Sequence, residues 1–270
     1  LFEVWEGVAP RLASAPFLLT LFDFDGTLAP IVERPEEASL PIPVRRRLAE
    51  LALCPSLQIG VVSGRSLEDV KGRVGLEGIF YAGNHGLEME GPGFHFVHPL
   101  AVASRPLLEE AKRRLVEVAA HFSGALVEDK GLTLAFHLRP LPEDLQVRAK
   151  ARAEEALAPF FTSGRLWRTE GKLVLEARPP VAWDKGRAVH FLAERIRARG
   201  VEPLVLYAGD DETDEAAFAA VGEKGIGIHV GGPREGGKAS FFLKRSEEMV
   251  HFLERLLTLR RRGGDAHPTW

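Results

Sequence analysis

The chain has 270 residues, 45% of them hydrophobic and 27% charged, with a formal net charge of −3. This is the make-up of an ordinary soluble globular protein, long enough for one large domain or two smaller ones, and its charge gives no reason to expect nucleic acid or an anionic membrane as partner. The single cysteine, Cys54, excludes an intramolecular disulfide and suits a reducing, cytoplasmic setting.

The N-terminal stretch "LFEVWEGVAPRLASAPFLLTLFDFD" lacks a basic start, and its apolar run near Phe17 is too short to span a bilayer. Neither an export signal nor an anchor is expected, and the chain reads as a monomer. "FLLTLF" (17–22) is a continuous apolar run of strand length, as a strand covered on both faces requires. "PVRRRLAELAL" carries Val44, Leu48 and Leu51 at helical spacing. "LQIGVVSG" then reads as a second buried strand, "SLEDVKGRV" as a short helix and "GIFYAGNHG" as a third strand. Strand, helix, strand, helix, strand predicts a parallel sheet with right-handed crossovers.

The middle of the chain follows another pattern. "LEMEGPGFHFVHP" has two extended arms about Gly91-Pro92-Gly93 and predicts a hairpin. A helix is expected over 106–120, then strands "ALVEDKG" and "LTLAFHLRP", a charged helix over 143–157, and a hairpin in "RLWRTEGKLVLEARPP". Hairpins with helices predict a small α+β module with a half-exposed sheet. After Pro180 the first pattern returns. "DKGRAVHFLAERIRARG" is a helix with Asp184 as N-cap, "EPLVLYAGD" a strand, "DETDEAAFAAVG" a short helix and "GIGIHVGG" a strand. "SEEMVHFLERLLTLRRR" closes the chain as a helix capped by Ser246, its "RRR" a solvated end, and "GGDAHPTW" is expected to fray. The predicted class is α/β: a doubly wound, Rossmann-like parallel core over 1–86 and 181–270, split by a smaller inserted α+β module over 87–180.

In an open parallel sheet, reactive groups collect beyond the carboxyl ends of the strands. Asp23 and Asp25 follow the first strand, on one side of an extended chain with Phe24 opposite. Ser63 and Arg65 follow the second strand, Asn84 and His85 the third. Asp210 and Asp211 follow "EPLVLYAG", with Asp214 one helical turn on. An Asp after a strand is in isolation a turn residue or helix cap; recurrence at matching strand ends points to chemistry. Converging carboxylates cannot all stay ionised without positive charge among them. A small hard cation of magnesium type supplies it best, taking few carboxylate oxygens with water and phosphate for the rest. Lys185 would add a second positive charge and Ser63 a hydroxyl donor. Such an assembly suits phosphoryl transfer. One aspartate can be the covalent nucleophile and a second carboxyl the proton donor and acceptor, roles that Asp23 and Asp25 fit in that order. The histidines His95, His98 and His229 show no ligand spacing and read as structural or surface residues.

"DFDGT" resembles the DxDGT signature of the haloacid dehalogenase superfamily, and Ser63, Lys185 and "GDDETDEAAF" follow in the order of its other motifs. The second aspartate points to its phosphatase and phosphomutase branch. More narrowly, "DFDGTLAPIVERPEEA", "VVSGR", "AGNHGLE", "GKLVLEARP", "DKG" and "GDDETDEAAF" together are similar to the trehalose-6-phosphate phosphatase family. The resemblance implies a magnesium-dependent sugar-phosphate phosphatase with Asp23 as nucleophile, Asp25 as acid and base, and Ser63 and Lys185 holding the phosphate. It assigns the metal to Asp23, the backbone carbonyl of Asp25 and Asp210, supported by Asp211 and Asp214. The inserted module becomes a cap whose Glu128, Lys130, His137, Arg139, Glu176 and Arg178 bind the sugar. Thr27, Arg65, Asn84 and His85 are expected at the same ligand. Related phosphatases of sucrose phosphate, mannosyl-3-phosphoglycerate or phosphomannose, and a sugar-phosphate-binding protein without catalysis, are the competing readings.

Overall fold

The computed structural model describes residues 1–263 apart from 33 and 172, so of the eight residues expected to fray only Gly263, which ends the last helix, lies in the described part. It divides into two compact units, the first made of Leu1–His95 and the chain from Trp183 on, the second of Phe96–Ala182. In chain order, the first segment holds α1 (Trp5–Ser14), β1 (Leu18–Phe22), α2 (Ile42–Ala52), β2 (Leu57–Val62), α3 (Leu67–Val74), β3 (Phe80–Gly83), β4 (Glu88–Gly91) and β5 (Phe94–Val97). The middle holds α4 (Pro99–Ala103), α5 (Arg105–Ala119), β6 (Leu126–Asp129), β7 (Leu134–His137), α6 (Glu143–Thr162), β8 (Trp167–Gly171) and β9 (Val174–Arg178). The last segment holds α7 (Lys185–Arg197), β10 (Leu204–Gly209), α8 (Asp214–Val221), β11 (Ile226–Val230), β12 (Phe241–Leu243) and α9 (Met249–Gly263).

All five residues of β1 are buried, as its unbroken apolar run requires. It pairs in parallel with β2 on one side and β10 on the other. The sheet runs β12-β11-β10-β1-β2-β3-β4-β5, so it winds outward from β1 in both directions and reverses between β1 and β10. Leu18, Phe22, Val44, Leu48, Ile59, Val61, Leu206 and Ile228 belong to one apolar cluster that buries one face. The doubly wound α/β class is present as expected. No helix among the described residues is long and apolar enough to cross a membrane.

Four features depart from the sequence reading. The hairpin β4–β5 was expected in the insertion, yet β4 pairs antiparallel with β3 through Tyr81↔Glu90 and Gly83↔Glu88 and extends the core sheet. Alternation in a strand reports its faces but not its partner. Helix α1 went unrecognised because Gly7 and an internal Pro10 break its pattern, although Val8 and Leu12 are buried one turn apart. Arg260, read as a solvated helix end, is buried and donates to the carbonyls of Leu12, Ala15 and Ser56. The last carbonyls of α1 have no partner within the helix, and this guanidinium supplies one. Ser246 does not cap α9 directly: it opens a 3-10 turn, Ser246–Glu248, ahead of it.

In the second unit, the antiparallel strands run β6-β7-β9-β8. Leu134 and Phe136 of β7 and Leu175 and Ala177 of β9 join Leu108, Leu115, Ala149 and Leu157 of α5 and α6 in a second apolar core. Alternation then places His137 of β7 and Glu176 and Arg178 of β9 on the face opposite that core.

In the first unit α7 and α8 pack closely where the helices cross at Gly186. A Cβ there would lie 2.5 Å from the Ala216 carbonyl oxygen, so the site has no room for a side chain. Gly186→Ala is expected to force the helices apart and lower stability by about 1–3 kcal/mol, the usual range for overpacking. Thermal unfolding checks this; an unchanged midpoint would show that the crossing is not tight.

Candidate active site

The sheet reverses at the β1/β10 boundary, and the acids converge there. The Asp23 N–H donates to the Ala208 carbonyl at 2.8 Å, carrying the ladder one residue past β1 and bringing Asp23 beside the end of β10. The chain then turns tightly: Leu28 and Ala29 N–H both donate to the Phe24 carbonyl. Gly26 sits in this turn at φ 77°, and a Cβ there would lie 2.0 Å from Asp210 Oδ2. Only glycine lets the backbone approach that carboxylate in a left-handed conformation. Thr27, fully buried, donates from Oγ1 to Asp210 Oδ1 at 3.4 Å.

Lys185 is the first residue of α7, whose N-cap is Asp184 as expected, its carboxylate accepting from Arg187 N–H at 2.9 Å. The Lys185 side chain is 2% exposed and its Nζ lies 3.0 Å from Asp23 Oδ2, 2.7 Å from Asp214 Oδ1 and 4.0 Å from Asp211 Oδ1. Asp214 is saturated. Its Oδ1 accepts from Lys185 and from the Tyr207 hydroxyl at 2.5 Å, and its Oδ2 from the N–H groups of Asp210 and Asp211, both at 3.0 Å. Asp211 is more exposed and accepts from Thr213 N–H and hydroxyl at 2.8 and 2.6 Å. His229 is buried, with Nδ1 2.7 Å from the Gly232 carbonyl and Nε2 3.1 Å from that of Asp210, and so braces the Asp210 backbone.

Among the described residues, one oxygen each from Asp23, Asp210 and Asp214 lies within 4.8 Å of the others. Since Asp214 is already saturated, Asp23 and Asp210 are the carboxylates left to take a cation. Their hard oxygen donors, with few protein ligands, fit a divalent cation of that kind. Burial lifts the Asp23 carboxyl well above its usual range; Lys185 opposes this, and Asp214, Asp210 and Asp211 add to it. Burial, Asp214 and Asp211 push Asp210 up to about 7. Burial works against the charge of Lys185, but Asp214, Asp23 and Asp211 outweigh it and raise its pKa.

Asp25 does not join this group. The strand ends at Phe22, so the alternation that would keep Asp23 and Asp25 on one side does not extend through the turn. Both Asp25 oxygens face Arg65, which donates from Nε and Nη2 at 2.7 Å each. Arg65 follows β2, and its guanidinium lies 5.5 Å from the Phe24 ring centroid. The turn after β3 folds back over the same place: Asn84 N–H donates to the Arg65 carbonyl at 2.7 Å and His85 N–H to the Ser63 carbonyl at 2.9 Å. Asn84 and His85 hold φ of 50° and 57°, left-handed values uncommon outside glycine and asparagine. The Ser63 hydroxyl accepts from Arg65 N–H at 3.2 Å.

In the second unit, Glu128 and His137 meet at 2.7 Å and Lys130 donates to Glu176 at 2.8 Å. Glu128 pairs across from Ala135, which pairs across from Glu176, so these acids share a face of the sheet. Arg178 ends β9 on that face, whereas Arg139 lies beyond β7 and is exposed. Tyr207, Asp69 and His229 were not singled out from the sequence as site residues. A tyrosine inside an unbroken apolar run was the available signal for Tyr207, because a buried hydroxyl needs a partner.

The sequence profile of the Trehalose-phosphatase family matches residues 21–247. A trehalose-phosphate phosphatase of Mycobacterium marinum is 37% identical over 256 residues, covering 92% of this chain and 63% of that protein. One of Mycobacterium bovis is 41% identical over 244 residues, covering 87% of this chain and 60% of that protein. The chain thus spans about three fifths of the length of these curated relatives. The C-terminal domain of Candida albicans trehalose-6-phosphate phosphatase superposes with a TM-score of 0.78 at 23% identity, over 93% of this chain and 96% of that one, a likeness of fold.

The acid cluster generates a pH prediction. A carboxyl with a raised pKa in the folded state stabilises the fold below its unfolded value near ~4. That contribution is lost as the pH rises through the Asp210 value of about 7. Metal-stripped protein is therefore expected to melt lower at pH 8 than at pH 5 on account of this cluster. A divalent cation, competing with protons for the same oxygens, should raise the midpoint more at pH 8 than at pH 5. Thermal unfolding with chelator and with added cation checks this, and an equal rise at both pH values would count against the cluster as its site.

Proposed function

The chain belongs to the trehalose-phosphatase family, and on that premise we propose that it hydrolyses trehalose 6-phosphate to trehalose and inorganic phosphate, with magnesium as its metal. The observation that carries the reading is the buried Lys185 ammonium between Asp23 and Asp214, with Asp210 completing the group. Asp23, the Asp25 backbone carbonyl and Asp210 would hold magnesium, which supplies positive charge to the phosphate oxygens when bound.

An Asp23 carboxylate oxygen attacks phosphorus, the bond to the sugar oxygen breaks, and that oxygen takes a proton from the Asp25 carboxyl. Water then attacks the phosphoaspartate, Asp25 takes a proton from it, and the bond to Asp23 breaks, releasing phosphate. Lys185, fixed by Asp214, neutralises charge on the phosphoryl oxygens, and the Ser63 hydroxyl donates to them. Thr27, Asn84 and His85 line the phosphate side. Glu128, Lys130, His137, Arg139, Glu176 and Arg178 offer charged groups to sugar hydroxyls.

Turnover of a panel of phosphates tests the substrate. Trehalose 6-phosphate is expected to give the highest kcat/KM against sucrose, mannose and mannosylglycerate phosphates; parity among them would overturn the sugar assignment. Asp23→Asn is expected to lower kcat by at least ~10³-fold and Asp25→Asn by about 10²–10⁴-fold. An Asp23→Asn protein as active as wild type would remove Asp23 from the attacking role.

A further inference from the structure

Arg65 was read from the sequence as a substrate ligand, and its geometry assigns it elsewhere. Of the five N–H groups of a guanidinium, four are engaged within the protein: two bonds to Asp25, one to Asp69 at 2.8 Å and one to the Pro35 carbonyl at 2.9 Å. The side chain is 8% exposed, which leaves little of it to meet a phosphate. Asp69 is in turn held by Arg73, whose Nε lies 2.8 and 2.9 Å from its two oxygens, and Arg73 also donates to the Ala38 and Glu36 carbonyls. Arg65, Asp69 and Arg73 are spaced four apart, the interval at which residues along α3 and its approach become neighbours. The row ties Asp25, the loop through residues 35–38 and α3 into one array of alternating charge.

We propose that Arg65, oriented by Asp69, is a positioning residue for Asp25 that holds its carboxylate for the second half of the reaction. This rests on the phosphatase reading above. The pair presents Asp25 as an acceptor: the guanidinium occupies one direction on each oxygen and leaves others open to water. In that half-reaction a water oxygen bonds to phosphorus and its proton passes to the Asp25 carboxylate. The bond from phosphorus to the Asp23 oxygen breaks, its electron pair returning to Asp23. A carboxylate free to rotate would seldom stand where that water needs it, and misplacement of about 1 Å costs ~10²-fold.

The whole chain, loaded with magnesium, is assayed with trehalose 6-phosphate and with p-nitrophenyl phosphate, whose leaving group needs no proton. Arg65→Met is expected to lower kcat on both by ~10-fold or more, with KM within about two-fold, a pattern of lost orientation and not lost binding. Slow hydrolysis of the phosphoenzyme should then produce a rapid burst of p-nitrophenol that the wild type lacks. Arg65→Lys, which keeps charge without the fork, should recover part of the rate, and Asp69→Asn should show a smaller burst. A KM raised ten-fold at unchanged kcat would overturn the inference in favour of a phosphate ligand. Loss of rate without a burst in all three variants, with lowered melting midpoints, would overturn it in favour of a purely structural role. A wild type active on p-nitrophenyl phosphate alone would overturn the sugar assignment while the burst still decided Arg65. A wild type inactive on both would overturn both readings.

Discussion

A lysine ammonium with almost no contact with solvent sits among carboxylates, and the rest of the site follows from accommodating it. Removing an ammonium from water costs several kcal/mol, and only close opposite charge with complete hydrogen bonding offsets that. Lys185 has Asp214 at 2.7 Å and Asp23 at 3.0 Å. Asp214 can be buried only because four donors surround it, two of them backbone N–H groups at the start of the turn after β10. The starts of α7 and α8 and the ends of β1 and β10 must therefore meet at one point. Gly186 permits the helix approach and Gly26 the approach of the turn to Asp210.

The same arrangement separates two aspartates that are neighbours in the chain. Asp23 lies in the buried group, where desolvation and Asp210, Asp211 and Asp214 work against its ionisation and Lys185 favours it. Asp25, two residues on, faces a different cation on a different element. Environments that differ this much let identical side chains take different roles. Excess negative charge in the first group is what makes a divalent cation favourable there, while the second is already neutralised by a guanidinium.

Much of the core was legible in the sequence. Unbroken apolar runs ending in Asp23, Ser63 and Asp210 identified buried parallel strands, and the reversal of strand order made their ends adjacent. Asp184 showed itself as a cap, and it orients the helix that carries Lys185. The hairpin at 88–97 was assigned to the wrong part because its arms do not reveal which edge they will join. Arg260 looked solvated because helical spacing does not record which distant carbonyls lack a partner.

The sequence by itself determined which residues carry charge and which strands are buried, since composition and periodicity are local properties of the chain. It also placed Asp23, Ser63, Lys185 and Asp210 at element ends, where side chains can gather. Only the tertiary structure decided how those charges pair. Arg65 faces Asp25 across 40 residues, Lys185 faces Asp23 and Asp214, and Tyr207 completes Asp214. Ion pairing depends on distance and desolvation in space, and neither quantity exists until the chain is folded.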